Sequence, residues 1–339
     1  MKKILRYTVF LLVLLLMTVF AHAYDDTGGH WAKESIEEWS GNGLINGKGN
    51  NLFDPDGNMT RAEAAAIFAR LLKLEEKADI SQFSDVKESD WYYDVISKCV
   101  CAGILNGDNG KMNPNQYVSR EMFCTMTVRA LGIIPEKKLN KSFADSSSIS
   151  DWSKGSMNAL VNRGYIRGVT ENTVAPKASI TRASVVTLID RIVANYNSNE
   201  LKENADAVSL VFSNVTVEKG FSGTVTVVSN GVELSLKGAE NVDLVILADD
   251  VKVKDIPSGT FVTVSKKADG TVLNNKKAEN NSVFYVNNKE VIYMSTQENT
   301  FKEEYKKPEL DVVEFDDEDV INTSTDNDDD QLEWDELLY

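Results

Sequence analysis

The chain reads as a multidomain protein: a mostly α-helical N-terminal half, an all-β module, and an acidic tail. Three observations predict this. First, five landmarks recur three times, in order, at a period of about 60 residues. They are a tryptophan (Trp31, Trp91, Trp152), a glycine (Gly43, Gly103, Gly164), a second glycine (Gly47, Gly107, Gly168), a proline (Pro55, Pro114, Pro176) and an arginine (Arg61, Arg120, Arg182). Second, past Asn197 the apolar residues switch from helical spacing to strict alternation. Third, residues 301–339 hold 16 acidic side chains against 3 lysines, so this segment carries −13 of the formal net charge of −16.

The elements follow in order. Lys2, Lys3 and Arg6 precede an apolar run, Tyr7 to Phe20, and then Ala21-His22-Ala23. This is the pattern of a cleaved export signal over 1–23, too short to favour a retained span. The mature chain is expected to start at Tyr24.

Each repeat (24–77, 78–137, 138–197) reads as helix, loop, helix. In the first, Trp31 to Trp39 has helical apolar spacing, and Gly41-Asn42-Gly43 is a stop signal. Asn46 to Asn51 and Asp54-Pro55-Asp56-Gly57 are turns. Thr60-Arg61-Ala62-Glu63 is a capping box opening a second helix. The second repeat has Ser119-Arg120-Glu121-Met122, its acid displaced by one. The third has Thr181-Arg182-Ala183-Ser184 and a loop, Val169 to Asn172, without glycine or aspartate. One such hairpin cannot bury a useful core, so the three should pack into a pseudo-threefold bundle.

Residues 205–296 hold alternating, β-branched segments: Val215–Val217, Thr224–Val227, Val232–Leu236, Val242–Ile246 and Phe261–Val264. Asn230-Gly231, Asp269-Gly270 and Asn287-Asn288 read as hairpin turns. The module is expected to be a sandwich or a short solenoid. The tail, 300–339, is expected to be disordered. Its Asp328-Asp329-Asp330 run lacks the ligand spacing of a calcium loop.

Composition excludes several functions. Outside the tail the charge is near neutral, without the basic face a nucleic-acid binder needs. Of two histidines, His22 leaves with the signal, and His30 alone cannot supply a triad or a histidine metal cluster. No metal and no cofactor are expected. Cys99, Cys101 and Cys124 are too few for a disulfide framework and read as small core residues, with a Cys99–Cys124 bond the one alternative.

Each arginine follows a Thr or Ser cap and so opens a helix, where a cation opposes the macrodipole at about 0.3–1 kcal/mol. Two explanations remain open. Free helix N–H groups and a guanidinium make an anion site, or an aspartate of a neighbouring repeat satisfies the arginine and staples the bundle. The tryptophans are likewise core packing or platforms for a sugar ring. Asp26, Asp85 and Asp145, each two residues after an aromatic, read as caps of the first helices.

The segments His30-Trp31-Ala32-Lys33-Glu34-Ser35-Ile36, Gly43-Leu44-Ile45-Asn46-Gly47 and Phe53 to Glu63, recurring over 24–196, resemble the S-layer homology (SLH) domain. Three tandem copies after a signal peptide is that family's usual arrangement. The resemblance implies a three-pronged helical body whose inter-repeat grooves bind secondary cell-wall polysaccharide, typically pyruvylated, and so hold a secreted protein on the cell wall or S-layer. It implies ligand contacts at Trp31, Gly47, Arg61, Trp91, Gly107, Arg120, Trp152 and Arg182, strongest in the first repeat. The third repeat's role is expected to be structural.

The leading expectation is a non-catalytic surface protein displaying its β module, without a stable membrane span or a nucleic-acid partner. Self-association, or another surface protein held by the β module, is a further partner to expect. The alternatives are an anchored polysaccharide-degrading enzyme, with Asp243, Asp249 and Asp250 as candidate carboxylates, and a scaffold or adhesin.

Overall fold

A computed structural model describes residues 24–203, 207–265, 268–278, 282–287 and 290–294. The expected signal peptide and acidic tail lie outside the described residues.

The helices fall where the landmarks place them. They are α1 (Lys33–Gly41), α2 (Arg61–Leu71), α3 (Tyr93–Cys101), α4 (Arg120–Leu131), α5 (Asp151–Asn162) and α6 (Arg182–Ile192). The first glycine of each repeat ends the first helix in the left-handed region (φ +72, +71 and +73°). In repeat one, Leu44 N–H then reaches back to the Trp39 carbonyl and Gly43 N–H to Ser40, and the same pair of bonds recurs at Gly103 and Gly164. Without a Cβ, glycine adopts this reversal at little cost. At the other end, the Thr60 side chain accepts from Glu63 N–H while Glu63 accepts from Thr60 N–H, so the capping box forms. Ser119 and Thr181 cap α4 and α6 from their side chains alone.

The second helix of each repeat packs on the first helix of the next: α2 on α3, α4 on α5, and α6 back on α1. Small residues on α2 (Ala62, Ala64, Ala65) are buried and permit close approach. Phe68 stacks on Phe123 across the first and second repeats at 5.2 Å. The ring closes on itself at its centre. Val118 N–H donates to the Met59 carbonyl (2.9 Å), Ile180 to Val118 (2.9 Å) and Met59 to Ile180 (3.0 Å). All three residues are buried, so this triangle of peptide bonds is shielded from water.

The β module is a solenoid, not a sandwich. Its strands are β1 (Val193–Ala194), β2 (Glu200–Leu201), β3 (Val208–Val211), β4 (Thr216–Val217), β5 (Gly223–Val227), β6 (Glu233–Ser235), β7 (Val242–Ile246), β8 (Lys252–Lys254), β9 (Phe261–Val264), β10 (Val272–Leu273), β11 (Lys276–Lys277), β12 (Ser282–Asn287) and β13 (Glu290–Met294). Odd-numbered strands β1 to β9 form one parallel ladder, which β12 and β13 extend antiparallel. Strands β6, β8 and β10 form a second parallel ladder, which β11 extends antiparallel, and β2 pairs with β4. The chain therefore winds from one sheet to the other, and Val225, Leu244 and Val262 stack inside.

Two expected hairpins are corrected by this winding. Asn230-Gly231 joins β5 to β6 and Asp269-Gly270 joins β9 to β10, and each pair lies in different sheets. A solenoid corner needs the same left-handed backbone as a hairpin turn, and Gly231 and Gly270 supply it at φ +70° and +69°. The corners are stacked by side chains: Asn230 Oδ1 accepts from Asp249 N–H (3.0 Å), and Asp249 Oδ1 from Asp269 N–H (2.7 Å). The third expected hairpin forms, with Asn287 opposite Glu290 in an antiparallel β12–β13 pair.

Strand β1 begins at Val193, directly after α6, so the solenoid is continuous with the third repeat. The outer face of its first sheet rests on the helical body. Val208 and Leu210 join the helical core, and Thr226 Oγ1 donates to the Leu131 carbonyl (3.1 Å). Gly132 ends α4 at φ +64°, where any Cβ would collide with Val245. Cys99 and Cys124 are buried thiols, each pushed up to about 12 by burial, and Cys101 is half-buried. The Cys99–Cys124 bond is not formed.

Candidate functional site

The three motif arginines form one cyclic set of bonds. Arg61 Nε donates to the Met112 carbonyl (2.8 Å) and Nη2 to Asn106 (2.9 Å). Arg120 makes the same pair to Val174 (2.9 Å) and Arg167 (3.4 Å). Arg182 makes it to Phe53 (2.9 Å) and Asn46 (2.6 Å), its guanidinium 4.6 Å from the Phe53 ring centroid. Each arginine thus reaches into the loop of the next repeat, and the third returns to the first.

The peptide that receives each guanidinium is held from its other side by a carboxylate. Asp26 accepts from Phe53 and Asp54 N–H (2.8 and 2.7 Å), Asp85 from Met112 and Asn113 (both 2.8 Å), and Asp145 from Val174 and Ala175 (2.9 and 2.7 Å). These aspartates clamp loops and do not cap the first helices, which corrects the expectation. Burial pushes Asp26 and Asp145 up. The peptide donors and the facing arginine outweigh it and leave both below the usual carboxylate value.

The helix tips are not free anion sites, a second correction. The first two amides of α2 donate to Gln116 and Pro114 carbonyls, those of α4 to Ala178 and Pro176, and those of α6 to Gly57 and Pro55. The third amide in each goes to its cap side chain. Neighbouring turns use the donors a ligand would need. Of the two explanations for the arginines, the staple forms, with backbone carbonyls as acceptors where the sequence suggested an aspartate. Burial weighs against charge on all three guanidiniums and lowers each. Arg182 is only 3 % exposed and has no face for a ligand. Arg61 and Arg120 are half-buried, and each keeps its Nη1 without a protein acceptor among the described residues.

The glycines Gly47 and Gly107 also turn out to be packing residues, as does Gly168. A Cβ at Gly47 would lie 2.5 Å from the Leu52 carbonyl oxygen and 2.6 Å from the Tyr24 ring. At Gly107 it would enter the Phe83 ring, and at Gly168 it would meet Thr173 O at 2.7 Å. The absent side chain makes room for the repeat's own entry aromatic.

The tryptophans are on the surface. Trp31 and Trp91 are 61 % and 64 % exposed, while Trp152 is half-buried. Trp31 lies against His30 (5.2 Å), whose Nε2 is 3.4 Å from Asp56, in the turn that receives α6. Trp91 lies against Tyr92 (5.4 Å), in the repeat whose turn at Pro114 and Gln116 receives α2. Trp152 lies between Ser150 and Ser153, both bonded to Glu121 of α4. The structure therefore links the landmarks across repeats: Arg61 is held by the repeat that carries Trp91, Arg120 by the repeat of Trp152, and Arg182 by the repeat of Trp31. Sequence spacing alone paired them within repeats. It also missed Glu121, whose one-residue displacement lets a buried carboxylate cap α5 through Ser150 N–H (3.0 Å) and bind Lys177 (2.6 Å).

The family model for the S-layer homology domain matches residues 23–65, 82–122 and 142–186. Exoglucanase XynX of Acetivibrio thermocellus is 34% identical over 179 residues, 52% of this chain and 16% of that protein. The surface-layer 125 kDa protein of Lysinibacillus sphaericus is 31% identical over 228 residues, 66% of this chain and 19% of that protein. The cellulosome-anchoring protein of A. thermocellus is 33% identical over 171 residues, 47% of this chain and 38% of that protein. The chain spans well under half the length of each of these relatives.

Proposed function

We propose that this chain, which carries three S-layer homology domains in tandem, is a non-catalytic exported protein held on the bacterial cell wall by acidic polysaccharide seated in the seams between its repeats. The observation that carries the reading is that Arg61, with one guanidinium nitrogen open, is anchored in repeat two, the repeat that presents the exposed Trp91. An indole face stacks on the apolar side of a sugar ring. The remaining guanidinium nitrogen, fixed by two bonds to the next repeat, takes a carboxylate such as a pyruvate ketal. Two seams with an open guanidinium, at Arg61 and Arg120, on one rigid ring raise retention on a repeating glycan without either site binding tightly. The relatives named for the surface layer and for cellulosome anchoring support attachment. The one named as an exoglucanase supports only that such repeats travel with varied cargo.

The non-catalytic part of the reading rests on the candidate acids. Asp249 and Asp250 sit at a solenoid corner, where Asp249 holds Asp269 N–H and Asp250 adopts φ +54°. Asp243 lies at the other end of β7, on the outer face toward the helical body. The three acids therefore do not converge on one cleft. Polysaccharide hydrolysis by the purified chain would overturn this part.

Attachment is tested by incubating the mature chain with purified sacculi before and after the secondary polysaccharide is stripped. Binding to intact sacculi alone is expected, and equal binding to both refutes the proposal. Arg61→Ala is expected to lose more affinity than Arg182→Ala, which is already occupied internally.

A further inference from the structure

The three seams are not electrostatically equivalent. In repeat one the last-turn arginine of the second helix, Arg70, donates from Nη1 to the Leu44 carbonyl (3.1 Å). In repeat two its counterpart, Arg129, has Nη1 at 3.3 Å from the side-chain oxygen of Asn106, in the amide orientation that satisfies both. In repeat three the counterpart is Arg191, and the position of Asn46 and Asn106 is taken by Arg167. A neutral acceptor has been replaced by a second cation.

Arg120 adds a third. It reaches into this loop from α4 and bonds the Arg167 carbonyl. Arg167 and Arg191 are both exposed, and no described acceptor holds either guanidinium. Burial lowers Arg191, and the charges of Arg167 and Arg120 lower it further, against a counter-effect from Asp190. The acids nearby are already engaged. Asp145 holds Val174 and Ala175 N–H, and Asp190 holds Ser35 Oγ (2.9 Å) and Trp39 Nε1 (3.1 Å) at another seam. The motif arginine faces acids at every seam, Arg61 facing Asp108 and Asp85, Arg120 facing Asp145, and Arg182 facing Glu63, Asp54 and Asp26; what sets this seam apart is the added pair of Arg167 and Arg191.

We infer that the seam between repeats two and three is a binding site for a multiply charged anion, of the class of a phosphate group, formed by Arg120, Arg167 and Arg191. Arg167 and Arg191 add two cations beside an Arg120 that already faces Asp145, so the guanidiniums repel one another, and a dianion with several acceptor oxygens relieves that repulsion through paired N–H···O bonds. A lone carboxylate offers one charge and two oxygens and leaves it largely in place. The inference deepens the attachment reading: it gives this seam a preference for phosphorylated over merely carboxylated glycan.

The test uses the mature full-length chain and two simple probes, inorganic phosphate and acetate, titrated at constant ionic strength with arginine Nε–H resonances recorded by NMR. Phosphate is expected to bind at least 10-fold more tightly than acetate and to shift the Arg120, Arg167 and Arg191 signals together. Arg167→Asn, which restores the residue of the other repeats, and Arg191→Gln are each expected to cut that preference to 3-fold or less. Lys237→Gln, an exposed solenoid lysine with the same charge change, should leave it intact. Equal affinities for the two anions, or a preference that survives Arg167→Asn, overturns the inference. Sacculus binding is measured in parallel and fails separately. Phosphate selectivity without wall binding keeps the site and removes its role in attachment, whereas wall binding without phosphate selectivity removes the site alone.

Discussion

In the helical body each repeat touches both of the others, whereas in the solenoid each coil touches only the coils before and after it. The two regions hold their loops with the same chemistry, carboxylate or amide oxygens accepting peptide N–H groups. They differ in what that chemistry connects. Asp145 fixes a loop that Arg120 grips from another repeat, and that repeat is gripped in turn. Asp249 fixes the next corner of a stack and nothing beyond it. A closed set of contacts should therefore fail as a unit, and an open stack should fray from an end.

Asp145→Ala breaks or confirms this contrast most strongly. It leaves two peptide donors and a stapled arginine without their shared anion, and is expected to cost ~3 kcal/mol. Urea unfolding followed by Trp31 and Trp91 fluorescence should shift as one transition. Loss confined to the third repeat would show that the ring is not cooperative. Acid should act on the same clamps reversibly. The Asp26 and Asp145 carboxyls lie below their ordinary value of 3.8 in the folded chain. Their stabilisation is thus complete above that pH and is lost as pH falls through the lowered folded values. Circular dichroism at falling pH should show the helical signal collapsing below about pH 3.8, without loss of clamps between pH 5 and 8.

Gly132→Ala tests how far the two regions depend on each other. It sets a Cβ against Val245 and forces a left-handed alanine, together ~2–3 kcal/mol. Calorimetry should show a single melting peak separating into two as the contact loosens. An unsplit peak at the parent temperature would mean that the contact carries little of the stability. Asp249→Ala, in the solenoid, is expected to cost only ~1 kcal/mol and to leave the helical melt unmoved. A cost equal to that of Asp145→Ala would erase the contrast between ring and stack.

The smallest effect runs the other way. Ala175 occupies the pre-proline position at φ +50°, where Asp54 and Asn113 stand in the other repeats at +61° and +48°. Ala175→Asn is expected to stabilise by ~0.5–1 kcal/mol, read as a higher urea midpoint, since asparagine tolerates that backbone better than alanine.

The sequence made the helical repeats legible because each landmark is a local requirement: a left-handed stop at Gly43, a cap at Thr60, a turn proline at Pro55. What it concealed was who touches whom. Arg61 bonds residues 45 and 51 positions ahead, and Arg182 reaches back 129 and 136. No local spacing separates an arginine that staples a neighbour from one that awaits a ligand. Gly47 misled for a related reason, since a glycine kept bare for an aromatic ring looks the same as one kept bare for a sugar. In the β module Asn230-Gly231 fits a solenoid corner as well as a hairpin, because both demand the same positive φ. Strands as short as β2 and β10 carry too few residues to show alternation.

The triangle of peptide bonds at Met59, Val118 and Ile180 sets an arithmetic on how such a body evolves. Each vertex gives one hydrogen and takes one, so the figure is satisfied by three members in one chain. A tandem duplication adding a fourth copy, or a deletion leaving two, would strand a donor and an acceptor at the driest point of the molecule. Gene-level gain and loss of repeats should then proceed in threes, or by single modules borrowed from separate chains to complete the set.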